Sequence, residues 1–181
     1  DKGVGEYVEA ARLLRERHPH ARFQLLGALG AANRTAIPAE QLEAWLAEGV
    51  VEYLGETDDV RPFIAQSDAV VLPSYREGVP RTLLEAGAMG RPLIATDAPG
   101  CRDVVEHGVN GYLCEVHSAT DLADKIESFI HLTDEERAAM GRASRSKIER
   151  EFDEAIVIGR YLESIDGFRR PTGREPDVPF G

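Results

Sequence analysis

Apolar and polar positions along this chain follow two periods in turn, one helical and one extended, and the switch recurs almost to its end. Val4, Val8, Ala11 and Leu14 repeat at helical spacing, and Pro19 stops that helix after His18. Ala21–Ala28 carries the short apolar run Phe23, Leu25 and Leu26, bounded by Gly27 and Gly30, and is expected to be a strand. Pro38 stands in the first turn of a helix whose apolar face is Leu42, Trp45 and Leu46. Val50–Leu54 reads as the next strand, closed by Gly55, after which Asp58 or Asp59 is expected to cap a helix bearing Val60, Phe63 and Ile64. Ala69–Leu72, Pro92–Ala95 and Gly111–Glu115 read as further strands. Arg81–Met89 and Arg102–His107 read as helices between them, and a later helix gathers Leu122, Ile126, Phe129 and Ile130 on one face. Short apolar strands alternating with amphipathic helices predict an α/β fold, a Rossmann-like parallel sheet with helices on both faces. Two long helical stretches follow, Asp134–Phe152 and Glu154–Phe168, with no strand between them.

The 181 residues suffice for one domain with a short appendage. The expected division is a Rossmann-like domain over 1–152, a separate helix over 153–168 and a flexible tail over 169–181. That tail holds three prolines and two glycines. Lysine and arginine total 21 against 32 acidic residues, a net charge of −11, which argues against wrapping a nucleic-acid backbone. A small anion in a locally basic pocket remains compatible with that field. No apolar run reaches the length of a membrane span, and Asp1-Lys2-Gly3 lacks a signal peptide's apolar core. With no initiator Met, the chain is expected to be cut from a longer protein. Cys101 and Cys114 form no Cys-x-x-Cys, and His18, His20, His107, His117 and His131 show no ligand spacing, so reduced thiols and no protein-bound metal are expected.

In sheets of this kind ligands lie beyond the carboxyl ends of the strands. The loops after Leu26, Leu54, Leu72 and Ala95 are therefore where chemistry is sought. After the third of these comes Tyr75-Arg76-Glu77-Gly78-Val79-Pro80-Arg81-Thr82-Leu83-Leu84-Glu85, a turn that runs straight into a helix. Such a corner aims unpaired N–H groups and a positive dipole end outward, which suits a phosphate. Glu85 is placed to accept from a vicinal diol such as a ribose, and Glu77 from a second set of hydroxyls. Spacing alone also allows a plain corner with two solvated glutamates. Gly27 and Gly30 form only Gly-x-x-Gly, which fits either a strand-to-loop turn or close backbone approach to a ligand.

Glu77 and Glu85, with seven residues between them inside SYREGVPRTLLEAGAMGRPLIATDAPGCRDVVEHGVNGYL, resemble the E-x7-E motif of retaining GT-B glycosyltransferases of family 4, also called group 1. The resemblance runs from Asp1 to about Phe168 and implies the C-terminal, donor-binding half of a GT-B fold, plus C-terminal helices. The wording around the motif is closest to bacterial O-antigen, capsule and lipid-linked oligosaccharide transferases, hence to polysaccharide and lipopolysaccharide biosynthesis. The family implies that Glu85 binds the nucleotide ribose and Glu77 the transferred sugar. It implies that the amides of Gly78, Val79, Arg81, Thr82 and Leu83, with Pro80 shaping the turn, serve sugar and diphosphate. Lys2 matches the lysine that neutralises the diphosphate leaving group, a role that stabilises developing charge. Gly55, Glu56 and Thr57 would border the nucleobase, Gly27 the backbone approach, and Asp97–Gly100 with Arg102 and Asp103 the sugar side. The arginine that accompanies the lysine in the family would precede residue 1.

The implied donor is a UDP-sugar, with a GDP-sugar as the other choice, and the implied acceptor a saccharide or polyprenyl-diphosphate-linked sugar held by an N-terminal half. The family needs no cofactor and no metal, and it works in the cytoplasm at the inner face of the inner membrane. Retention by front-face substitution and by a covalent intermediate on Glu77 both stay open. A nicotinamide oxidoreductase would need the full glycine fingerprint, which Gly27-x-x-Gly30 lacks. A non-catalytic nucleotide-binding regulatory domain could share the fold but would not need both glutamates.

Overall fold

The computed structural model describes residues 2–28 and 37–153. Its elements run α1 Val4–Arg15, β1 Gln24–Leu25, α2 Ala39–Glu48, β2 Glu52–Tyr53, α3 Arg61–Gln66, β3 Val70–Leu72, α4 Arg81–Ala88, β4 Leu93–Thr96, α5 Cys101–Val104, β5 Gly111–Cys114, α6 Ala119–Ile130 and α7 Asp134–Glu151. Every strand pairing is parallel, as the alternation of strands and helices predicts, but the described pairs fall into two sets, β1–β2 and β3–β4–β5.

β4 explains the two-sided architecture. All four of its residues are buried, so it has no solvent face. Because side chains alternate along a strand, Ile94 joins one core while Leu93 and Ala95 join the other. Ile94 packs with Val8, Leu14, Trp45, Leu122 and Phe129, which belong to α1, α2 and α6. Leu93 and Ala95 pack with Ile64, Leu83, Ala86, Val104 and Ile148, from α3, α4, α5 and α7. Burying each large side chain of this kind contributes roughly 1.5–3 kcal/mol. The two layers of helices are therefore held against the sheet by neighbouring residues of the same strand.

Several boundaries differ from those expected. Of Ala21–Ala28 only Gln24 and Leu25 form ladder pairs, and of Val50–Leu54 only Glu52 and Tyr53. The two segments still travel together, because Glu52 N–H donates to Phe23 O at 2.8 Å, Leu54 N–H to Leu25 O at 2.8 Å and Gly27 N–H to Gly55 O at 2.9 Å. The helix expected over Arg102–His107 starts at Cys101 and stops at Val104. Buried Asn110 stops it: its amide donates to Val104 O at 3.0 Å and its side-chain oxygen accepts from Glu106 N at 2.7 Å. Val60 rather than Asp58 or Asp59 is the N-cap of α3, yet Asp59 Oδ1 does accept from Arg61 N at 3.1 Å. Gly30, the expected helix at 154–168 and the expected tail at 169–181 lie outside the described residues. Among the described residues no helix is long and apolar enough to cross a membrane.

Candidate functional site

The site is built where β3 ends. Its first requirement is that the start of the chain lie against that end, and Gly3 makes this possible. Gly3 has φ of 65°, and a Cβ there would stand 2.0 Å from the Pro73 carbonyl oxygen. Only a residue without a side chain can come this close in this conformation. The contact carries Lys2 to Glu77, whose Oε1 lies 2.5 Å from the ammonium nitrogen. The pair is asymmetric in its exposure, 65% for the lysine side chain and 13% for the glutamate. Partial burial pushes the Glu77 carboxyl up, but the Lys2 ammonium and the nearby Ser74 hydroxyl outweigh it and hold it below the usual carboxylate range. That hydroxyl is wholly buried and near enough to favour the anion without meeting hydrogen-bond geometry.

A second glycine closes the other side. Gly100 has φ of 81°, and a Cβ there would lie 2.2 Å from Gly78 O and 2.7 Å from Glu77 O. Buried Thr96, the last residue of β4, donates its hydroxyl hydrogen to Ser74 O. The Ser74–Gly78 segment is thus fixed from β4 and from the start of α5 together.

α4 opens directly on this segment. Its N-cap is Pro80, which offers no side-chain acceptor. Leu83 and Leu84 N–H donate to Pro80 O at 2.9 and 3.1 Å. No acceptor among the described residues meets the N–H of Gly78, Val79, Arg81 or Thr82. These four amides, a helix N-terminus and the Lys2 ammonium make a concentration of positive potential suited to an anion. Val79 is 65% exposed, so the turn faces solvent. Leu83 has a different role from the others: its side chain is fully buried in the core and its N–H is used within the turn. Glu85 stands one turn into α4, partly exposed, with Oε1 3.8 Å from the Arg81 guanidinium.

A second polar group backs the pair. The Tyr75 hydroxyl donates to Glu6 Oε1 at 2.6 Å, and its ring lies against His117 with centroids 3.8 Å apart. The hydrogen bond that the phenol donates to Glu6, then burial, pushes the Tyr75 phenol up to about 12. His117 adopts φ of 62°, and its Nδ1 lies 3.9 Å from Glu6 Oε1.

The structure therefore brings together Lys2, Glu77, Gly78, Val79, Pro80, Arg81, Thr82 and Glu85. Gly27 and Gly55 are joined to each other, and Tyr53 OH donates to Gly27 O at 2.8 Å. Glu56 is exposed, while Thr57 Oγ1 turns back on Asp59, accepting from its N–H at 3.0 Å. No hydrogen bond or ion pair among the described residues links this group to Lys2 or Glu77. Asp97 and Arg102 pair with each other at 2.8 Å. The sequence reading missed Ser74, Thr96, Glu6 and His117, whose contacts arise only from chain segments distant in sequence.

The family model described as glycosyl transferases group 1 matches residues 1–147. A curated relative, the N,N'-diacetylbacillosaminyl-diphospho-undecaprenol alpha-1,3-N-acetylgalactosaminyltransferase of Campylobacter jejuni, is 32% identical over 166 residues, covering 91% of this chain and 41% of its own length. This chain thus spans less than half the length of that relative. Among solved structures, TarM of S. aureus, as a mutant in complex with fondaparinux, alpha-GlcNAc-glycerol and UDP, matches with a TM-score of 0.77 at 27% identity, covering 90% of this chain and 32% of that one. The C-terminal domain of the group 1 protein LpcC from Francisella tularensis matches with a TM-score of 0.73 at 23% identity, over 84% of this chain and 80% of that domain. The fold is accordingly that of a glycosyltransferase C-terminal domain.

Proposed function

The chain belongs to the glycosyl transferases group 1 family, and from that premise we propose that it is the donor-binding half of a retaining enzyme of family 4. In this reading it takes a hexose or N-acetylhexosamine from a UDP-sugar and passes it to a saccharide or a polyprenyl-diphosphate-linked acceptor. A partner N-terminal half holds that acceptor, at the cytoplasmic face of a membrane. The observation that carries the reading is the Lys2–Glu77 pair beside the uncapped start of α4.

The chemistry follows from what each group can do. The diphosphate lies over the amides of Gly78 to Thr82, and the Lys2 ammonium swings from Glu77 to a phosphate oxygen. Its high exposure leaves that motion free. Glu77, ionised and held from behind by Ser74, then accepts from hydroxyls of the sugar. Glu85 accepts from the ribose diol at the nucleoside end. As the sugar–phosphate bond breaks, negative charge grows on the diphosphate, and fixed amides with a nearby ammonium stabilise that charge more than the ground state. The UDP bound to TarM supports this choice of nucleotide.

Calorimetric titration with UDP tests the reading. Lys2→Ala is expected to weaken UDP binding by about 1.5–3 kcal/mol, since a charge-assisted bond is lost. Glu85→Gln is expected to weaken it by roughly 1 kcal/mol. Unchanged affinity in both, with native circular dichroism, would remove the nucleotide from this corner.

A further inference from the structure

The far ends of α1 and α6 meet well away from the corner just described. α1 has twelve residues, so its C-terminal end stands about 18 Å from Lys2. His18 follows that end and is held there by its N–H donating to Leu14 O at 2.8 Å and its carbonyl accepting from Ala21 N at 3.0 Å. Glu127 lies in the last turn of α6 and His131 at its C-cap, where His131 N–H donates to Glu127 O at 3.1 Å. The backbone is thus helical from one to the other, and residues four apart on a helix present side chains on one face.

These three side chains converge. His18 Nε2 lies 2.7 Å from Glu127 Oε1, and the two imidazole rings stand 5.4 Å apart between centroids. One donor atom from each of His18, Glu127 and His131 falls within 4.8 Å of the other two. Reading the histidines alone finds no ligand spacing, because one ligand is a glutamate and His18 comes from the loop after another helix.

We propose that His18, Glu127 and His131 bind one divalent transition-metal ion of the zinc class, and that the ion staples α1 to α6. Two imidazoles and one carboxylate match zinc, whereas calcium and magnesium want oxygen donors. Zinc bonds of about 2.0–2.1 Å set tetrahedral ligand atoms roughly 3.3 Å apart. His18 and Glu127 must therefore part by several tenths of an ångström, while exposed His131 rotates inward. The proton between His18 Nε2 and Glu127 Oε1 is given up, with Nδ1 keeping or taking up a proton from solvent so that the ring stays neutral, and the Nε2 lone pair and the carboxylate oxygen pass to the metal. Arg17 already holds the other carboxylate oxygen, Oε2, at 2.5 Å. That bond orients Glu127 and keeps it ionised, as outer partners of metal ligands do, though its positive charge lowers affinity. A water completes the fourth position.

The experiment uses the 181-residue chain without an affinity tag, titrated with zinc chloride and followed by calorimetry, metal analysis and thermal unfolding. The expected result is one zinc per chain, with affinity reduced about tenfold or more in His18→Ala and in His131→Ala. Zinc should raise the unfolding midpoint of the parent chain and leave that of the double variant where it was. His131 is exposed, so its replacement leaves the core intact and keeps the test independent of folding. Absence of stoichiometric zinc binding to the parent, or unchanged affinity in His131→Ala, overturns the site.

Discussion

Two ends of the molecule treat their helix starts in opposite ways. α7, which begins at the end away from the corner, closes its own N-terminus: Thr133 and Glu136 form a reciprocal capping box. α1 and α4 begin on Gly3 and Pro80, and neither supplies a side-chain acceptor. A good cap is worth about 1 kcal/mol, so omitting two of them has a cost in stability. At the far end the start of α7 is finished by the protein itself. At the other, amides remain open where Lys2, Glu77 and the Gly78–Thr82 turn converge, free to meet water or an external anion. Open donors beside an exposed ammonium are thus better read as a binding surface than as weak structure.

The sharpest way to break this contrast is at the packed corner. Gly100→Ala places a methyl group 2.2 Å from Gly78 O in a left-handed conformation, and is expected to cost roughly 2–4 kcal/mol. Thermal unfolding would register the loss, and UDP titration of the folded fraction should weaken with it, since the displaced backbone carries the open amides. A variant as stable as the parent would show that the corner yields easily. At the other end, Thr133→Ala is expected to cost about 1 kcal/mol and lower the unfolding midpoint by a few degrees. UDP affinity should not move. If it did, the two ends would not be independent.

The smallest effect concerns acid. The folded Glu77 carboxyl titrates below its ordinary value of 4.5, so its contribution to stability is complete above that value and fades as pH falls through the lower folded value. The difference in unfolding midpoint between the parent and Glu77→Gln should therefore shrink on acidification from that point downward. A difference that grew toward low pH would mean that burial, not Lys2, governs this carboxyl.

Much of the fold was legible because β4 and the amphipathic helices carry strong periods. Ile94 between Leu93 and Ala95 announces a strand buried on both faces, and Leu122, Ile126 and Phe129 announce one side of a helix. β1 and β2 were overread, since apolar runs record burial and not the two-residue ladders that form. The stop at Val104 was hidden because it depends on the buried side chain of Asn110. In the site, Glu77, Glu85 and Lys2 were picked out by resemblance to the E-x7-E and lysine-glycine motifs, since spacing alone also allowed a plain corner with two solvated glutamates. The contacts of Gly3 with Pro73 and of Gly100 with Gly78 were not legible, because a close approach between distant segments leaves no local pattern. Thr133-x-x-Glu136 was legible and went unread: a hydroxyl three residues before a glutamate is a standard opening for a helix.

The packing of α1 on α6 has a consequence for the order of assembly. Each described strand pair joins neighbours in the sequence, β1 with β2 and β3 with β4 and β5, so those units close short loops and can form while the chain is still being synthesised. Val8 and Leu14 of α1 instead share a core with Leu122 and Phe129 of α6, more than a hundred positions later, and that closure must wait for the whole intervening chain. The helix that begins just after Lys2 is therefore among the last to be locked down, and a stalled or truncated nascent chain carries Glu77 without the Lys2 ammonium settled beside it.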